Sequence, residues 1–309
     1  MAKERIIYTL LLAALLAVPV YLLRDKMDTE EIRKNRYWVA KSSNTRQYPV
    51  LFGGDSRVFR GISPDQFEQG MYGYEAFNYA YWSNGMGRIY LEGLEQKMDK
   101  HSDLKMIVLG VSPHSLTPRG ADCGHYKTEM GRTKEQVLQQ RYLSRLQEVF
   151  ATYEALELIE KVMGRDKPSN YRIIYHPDGW VESWWLQPDT SYSARFYEEI
   201  FTGNRVSEEV IAGLLGYVEK WTAMGIHVAG FRPPTSHTIM QMEEERGGFD
   251  EAVFVERFTR AGGIWIHFPP DRYQTFDGNH LEHQSAARLS ADLADSIRAR
   301  IPVPASKAE

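Results

Sequence analysis

Five short apolar runs recur along the chain, at 50–53, 76–81, 105–110, 226–231 and 264–268. Runs of this length, rich in Val, Ile and Phe, predict strands. Longer stretches lie between and after them, at 86–100, 134–163, 208–224, 249–261 and 281–298, with apolar residues three and four apart, the spacing of amphipathic helices. Strands joined by helix-length crossovers predict an α/β fold built on a mostly parallel sheet covered on both faces. In such sheets functional residues gather at the carboxyl ends of the strands.

Two segments depart from this alternation. Residues 6–23 run uncharged, between Lys3 and Arg5 on one side and Arg24-Asp25-Lys26 on the other. As a helix the run is about 27 Å long, enough to cross a bilayer. No small-x-small cleavage site follows it, so the chain is expected to keep one N-terminal transmembrane helix as a membrane anchor over 1–26. A polar juxtamembrane stalk is expected over 27–48, and the α/β domain over 49–309. Counting positive charges alone would place that domain in the cytoplasm, because Arg24, Lys26, Arg33, Lys34 and Arg36 outnumber Lys3 and Arg5. A very short basic tail before a single apolar segment is, however, how export signals begin, and long domains translocate despite their charge, so the expected location is extracytoplasmic, periplasmic or at the cell surface. The second departure is 167–192, where Tyr171, Tyr175, His176, Trp180, Trp184 and Trp185 are interspersed with Pro and Gly. It is expected to be an inserted loop or lid, its aromatics either tucked into a satellite core or, Trp180 among them, offering a platform to a sugar ring or acyl chain.

Composition narrows the partners. With 309 residues, 43% hydrophobic and 25% charged, the chain can bury a substantial core. A net charge of -4 provides no basic field for a nucleic acid. Cys123 is the single cysteine, which excludes an internal disulfide framework and paired-cysteine zinc sites. His125, His176, His227, His237, His267 and His283 show no metal-ligand spacing, so no metal or organic cofactor is expected. The run Glu243-Glu244-Glu245 is expected to be a solvated helix end.

Two blocks carry chemistry. Leu51-Phe52-Gly53-Gly54-Asp55-Ser56 is an apolar strand ending in Gly-Asp-Ser, which presents a serine hydroxyl above the sheet edge. Phe276-Asp277-Gly278-Asn279-His280-Leu281 follows the last expected strand and opens the last expected helix. Asp and His three apart can share one turn, the carboxylate accepting the imidazole Nδ1 proton while Nε2 faces the serine. A hydroxyl is a poor nucleophile near neutral pH, and a base oriented by a third group is the usual remedy. Each block alone also fits a turn or a helix cap.

Together the blocks resemble those of the SGNH, or GDSL, hydrolase superfamily, over roughly 49–302. The resemblance implies a three-layer flavodoxin-like fold, with Ser56 as nucleophile, His280 as general base and acid, and Asp277 as its orienting carboxylate. It also implies an oxyanion hole in which a second-block glycine and a third-block asparagine join the backbone N–H of Ser56. The second block corresponds to 78–85, from Asn78 to Gly85, with Gly85 or Ser83 as donor. The third corresponds to Gly110-Val111-Ser112-Pro113, where serine stands in place of asparagine; Ser112 or His114 would then be the donor. Asn78 and His114 are accordingly candidate substrate contacts. Arg57 and Arg232 are candidates to reach an anionic substrate group, against the plainer reading of each as a structural arginine.

An N-terminal apolar segment with intact first and last blocks and a divergent third is similar to the membrane-anchored branch of the superfamily, which includes alginate-type O-acetyltransferases and the D-alanine-transfer protein of teichoic acid modification. That similarity implies a serine O-acyltransferase or esterase working on an acylated cell-surface polysaccharide, beside a membrane-bound O-acyltransferase. The alternatives are a lipase-like esterase and a non-catalytic polymer-binding or assembly protein on the same fold.

Overall fold

The computed structural model describes residues 5–9, 11–12, 15, 30–143 and 170–304. The chain divides into two compact units, Met1–Ser43 with Arg132–Pro168, and Asn44–Gly131 with Ser169–Glu309. In the first unit, α1 (Glu30–Ser43) buries Ile32, Tyr37, Trp38 and Val39. The expected polar stalk is thus helical over most of its length, because apolar side chains sparse in sequence fall together on a helix, where 3.6 residues make a turn. Most of the expected anchor lies outside the described residues. Among the described residues no helix is long and apolar enough to cross a membrane. The expected helix over 134–163 is described only to residue 143, as Lys134–Leu138 followed by a π-helical turn at Gln139–Leu143.

Among the described residues the second unit holds seven strands: β1 (Val50–Gly53), β2 (Ala76–Asn78), β3 (Met106–Gly110), β4 (Tyr171–Tyr175), β5 (Val181–Trp185), β6 (His227–Phe231) and β7 (Ile264–Ile266). Five form one sheet in the order β2-β1-β3-β6-β7, and every pairing is parallel. These are the five apolar runs expected from the sequence. β2 ends earlier than expected because the Asn78 side chain donates to Val58 O and Ile62 O, both at 2.9 Å, and turns the chain. Even so, Tyr79 N and Tyr81 N still donate to Phe52 O and Gly54 O. The order reverses direction at β1 and β3, as in a flavodoxin-like sheet, and the crevice beyond the carboxyl ends of the strands at such a reversal is where ligands bind.

The helices relevant to that crevice are α2 (Ser56–Gly61), α3 (Pro64–Gly70), α4 (Arg88–Lys97), α5 (Ala194–Ile200), α6 (Glu208–Ala223), α7 (His237–Glu245), α8 (Glu251–Arg260) and α9 (His283–Arg298). α9 buries Ala286, Leu289, Ser290, Leu293, Ala294 and Ile297, a stripe with three- and four-residue spacing, and packs on α2 and α3. Ser290 Oγ accepts from Ser63 N at 2.8 Å and donates to Ala286 O, so the helix after the His280 turn is tied to the helices after the Ser56 turn.

The segment expected to be an insertion or lid contains the antiparallel hairpin β4–β5. Its signal was present in Pro177-Asp178-Gly179 between two runs rich in aromatic and β-branched residues.

Candidate active site

β1 leaves the sheet through Gly54, whose φ of +152° and close neighbours leave no room for a side chain: a Cβ there would stand 2.4 Å from Val58 Cγ2 and 2.8 Å from Gly110 O. Asp55 then caps α2, accepting from Arg57 N at 2.8 Å, and Ser56 becomes the first helical residue. First-turn N–H groups have no acceptor within their own helix, so the backbone of Ser56 is a ready donor.

After β7, the chain makes a tight turn before α9. Asp277 Oδ1 accepts from Asn279 N at 2.9 Å and His280 N at 2.7 Å, while Oδ2 stands 2.8 Å from His280 Nδ1. His280 Nε2 lies 2.9 Å from Ser56 Oγ. Residues 224 positions apart thus meet in one chain of hydrogen bonds at the carboxyl ends of β1 and β7. Burial opposes the negative charge of Asp277, but His280 and two backbone N–H groups outweigh it and hold the carboxyl below its usual range. Burial lowers the His280 pKa from the ordinary 6.5, more than Asp277 raises it, and Arg60 and Arg57 lower it further. The imidazole is therefore neutral near pH 7, with Nδ1–H toward Asp277 and the Nε2 lone pair toward Ser56.

Ser56, Asn279 and His280 open on a cavity of about 500 Å³. Its apolar wall includes Trp82, Phe196 and Ile200, and its polar wall includes Thr117, Arg119 and Asn204. None of these six is singled out by the sequence pattern. They come from connections between elements, from the one-turn helix Pro118–Ala121 and from the short helix α5, where no hydrophobic period marks a binding surface.

The expected oxyanion donors are redistributed. Gly85 does not line the cavity; its lack of a side chain lets two backbones touch, since a Cβ would stand 2.2 Å from Gly120 C. Ser83, with φ +45°, lines the cavity instead. Ser112 is fully buried away from it, and Ser112 Oγ has no hydrogen-bond partner. His114 faces the cavity in its place, with Nε2 3.1 Å from Asp55 Oδ2, within ion-pair range though not aligned as a hydrogen bond, and Nδ1 3.3 Å from Tyr197 Oη. Burial lowers its pKa, with Asp55 opposing.

Four expected substrate contacts are structural. Asn78 is spent on backbone carbonyls, as described above. Trp180 is buried outside the cavity, its Nε1 donating to Arg60 O at 2.9 Å and its ring stacked on His176 at 4.7 Å. Arg57 and Arg232 point into the protein and converge on Glu243. Arg57 Nη2 donates to Glu243 Oε1 at 2.7 Å and to Tyr197 Oη, and Arg232 Nη2 donates to Glu243 Oε2 at 2.8 Å. Arg232 Nη1 also reaches Glu244 and Glu251, each at 2.9 Å. Glu243 is therefore fully buried, not part of a solvated helix end. It sits four residues after buried Ile239, on the same face of α7, which was the available sequence signal. Burial would raise its pKa, but Arg57 and Arg232 bring it below the ordinary value.

Among the described residues no group of three or more His, Cys, Asp or Glu could hold a metal ion. No family model matches the chain, and no curated protein matches it. Among solved structures it is similar to a protein from Streptococcus pneumonia described as a platelet activating factor, with 12% identity, 91% of this chain and 99% of that chain covered, and a TM-score of 0.36. It is also similar to an inhibitor-bound aryl esterase of M. Smegmatis, with 9% identity, 82% and 99% covered, and a TM-score of 0.41.

Proposed function

We propose that this protein is a serine esterase that cleaves or transfers an ester-linked acyl group through an acyl-Ser56 intermediate. One observation carries the reading: Ser56 Oγ, His280 Nε2, His280 Nδ1 and Asp277 Oδ2 stand in one line of hydrogen bonds at 2.9 and 2.8 Å, open to a cavity. Ser56 attacks the ester carbonyl as its proton passes to Nε2, and the protonated imidazole returns that proton to the leaving oxygen. Asp277 keeps the ring in the required tautomer and stabilises the imidazolium. For the developing oxyanion we assign the Ser56 N–H, with Ser83 on the cavity wall as the second donor, since both ring nitrogens of His114 face Asp55 and Tyr197.

An organophosphorus serine probe tests this directly. Wild-type protein should be labelled on Ser56, with labelling lost in His280→Ala; label elsewhere, or none, overturns the reading. The pH dependence follows from the depressed pKa of His280. The neutral base exists above that pKa, so the acidic limb of kcat/KM for ester cleavage should fall below pH 6.5. An acidic limb above that value would contradict the electrostatics of the site.

For the acceptor, we propose an acylated cell-surface polysaccharide, handled outside the cytoplasm by a membrane-anchored enzyme beside an acyl-exporting membrane partner. The apolar run at 6–23 and the resemblance of the two blocks support this, as do Trp82 and Phe196, exposed rings on the cavity wall that suit a sugar face or acyl chain. The tryptophans of the hairpin lend it no support, since none lines the cavity. C-terminal reporter fusions should be active outside the cytoplasm and silent within it; the reverse pattern removes the extracytoplasmic assignment.

A further inference from the structure

Asn279 stands between the two acidic and basic partners of the Asp277–His280 turn, is 8% exposed and lines the cavity. Its amide can be oriented without ambiguity. Arg57 Nε lies 2.8 Å from one end of it, and a guanidinium N–H can only donate, so that end is the oxygen, Oδ1. The amide nitrogen then occupies the other end, 3.3 Å from His280 Nε2. Arg57 cannot drift, because Glu243 and Tyr197 hold its far end in the buried interior.

His280 Nδ1–H is committed to Asp277, so Nε2 carries a lone pair, and two donors face it: the Ser56 hydroxyl at 2.9 Å and the Asn279 amide at 3.3 Å. When the Ser56 proton moves to Nε2, that nitrogen becomes a donor and the Asn279 N–H loses its acceptor. The next atom to take the proton is the leaving oxygen of the ester, and it must stand within hydrogen-bond reach of Nε2. From there it is also within reach of the Asn279 amide.

We propose that Asn279 is a catalytic residue that donates a hydrogen bond to the leaving-group oxygen, with Arg57 as its positioning residue. The inference rests on the acyl-Ser56 reading. In acylation Ser56 Oγ bonds to the carbonyl carbon and its proton goes to His280 Nε2. The carbon–oxygen bond to the leaving group then breaks, and its electron pair stays on that oxygen, which accepts the Asn279 N–H as it takes the proton from Nε2. In deacylation the entering water or acceptor hydroxyl occupies the same place, gives its proton to Nε2 and bonds to the acyl carbon; the bond from that carbon to Ser56 Oγ then breaks, and Oγ takes the proton back from Nε2. Asn279 thus supplies a side-chain donor at the site of proton transfer, whereas Ser112, in the position where the resemblance implies an asparagine, is buried away from the cavity.

Acetate esters whose alcohols range from nitrophenol to simple alkanols test this, measured on the pH plateau of each protein. Nitrophenolate leaves without help, whereas an alkoxide needs its proton and its hydrogen bond. Asn279→Ala should lower kcat/KM for the alkyl esters roughly 10²-fold and for the nitrophenyl ester less than about threefold. Asn279→Asp keeps the acceptor for Arg57 while removing the donor, and should show the same steepened dependence on leaving group if the alanine variant fails to fold. Equal losses across the series in the folded variants would reduce Asn279 to a structural residue and overturn the proposal. Organophosphorus labelling of Ser56 runs alongside: no label in the wild type sinks the acyl-serine reading itself, while retained label with a flat leaving-group series sinks only the role of Asn279.

Discussion

Ser56→Ala should lower kcat for ester cleavage by roughly 10⁴- to 10⁶-fold, the scale on which a nucleophile acting with its base is lost as a unit. The geometry gives no substitute: the next hydroxyls on the cavity wall, Ser83, Thr117 and Ser193, have no hydrogen bond to His280. His280→Ala should cost about as much, and the double variant little more than either single one, because nucleophile and base serve the same step. Asp277→Asn should be severe as well, about 10⁴-fold, since an amide no longer selects the tautomer with Nδ1–H. Steady-state rates on a small activated ester, with thermal melts to show that each variant folds, check all four. Full ester cleavage in Ser56→Ala would end the acyl-Ser56 reading, and full biological activity in that variant would put the polymer-binding or assembly reading in place of the enzyme reading.

Glu243→Ala should be strongly destabilising. Glu243 is the shared counter-ion of two buried arginines and also accepts from Tyr197 Oη at 2.9 Å. Removing one partner of a buried ion pair leaves an uncompensated buried charge, at a cost of about 3–5 kcal/mol, and here the buried Arg57 is stranded while Arg232 keeps only Glu244 and Glu251. For a domain of this size that lowers Tm by roughly 6–20 °C. The neighbouring Glu244→Gln offers the contrast. Its side chain is half exposed, and the pair with Arg232 should contribute about 1 kcal/mol or less. The sign of the pH dependence follows from the same carboxylate. Its folded pKa lies below the ordinary 4.5, so its contribution is fully present above that value and is lost as pH falls below it toward the folded pKa. Denaturant melts of both variants between pH 7 and pH 4 read both effects; equal stability of Glu243→Ala and Glu244→Gln would mean that the arginines are solvated in solution.

The change at Glu243 also reaches the catalytic machinery. Arg57 holds Asn279 from one side and is held by Glu243 and Tyr197 from the other, so loosening Glu243 frees the amide beside His280. Tyr197 belongs to α5, which also places Phe196 and Ile200 on the cavity wall. The buried charges therefore connect the stability of the unit to the shape of its site.

Local sequence determined the sheet and the nucleophile–base pairing. Each apolar run was long enough for a buried strand, the helical periods between them forced parallel crossovers, and parallel strands put 56 and 277–280 at the same sheet edge. Asp277 and His280 lie three residues apart, and one turn suffices to pair them. What only the tertiary structure decided were the partners chosen across long separations. Arg57 meets Asn279 222 residues away and Glu243 186 residues away, and no local pattern distinguishes an arginine that will be buried against a carboxylate from one that will face a substrate. Three consecutive glutamates look alike in sequence, yet only Glu243 of the three is buried, because a helix sends neighbours about 100° apart. The aromatics behaved in the same way. Trp180 went inward to the Arg60 carbonyl while Trp82 and Phe196 came to the cavity, since an indole can satisfy either surface and the packing of distant elements selects which.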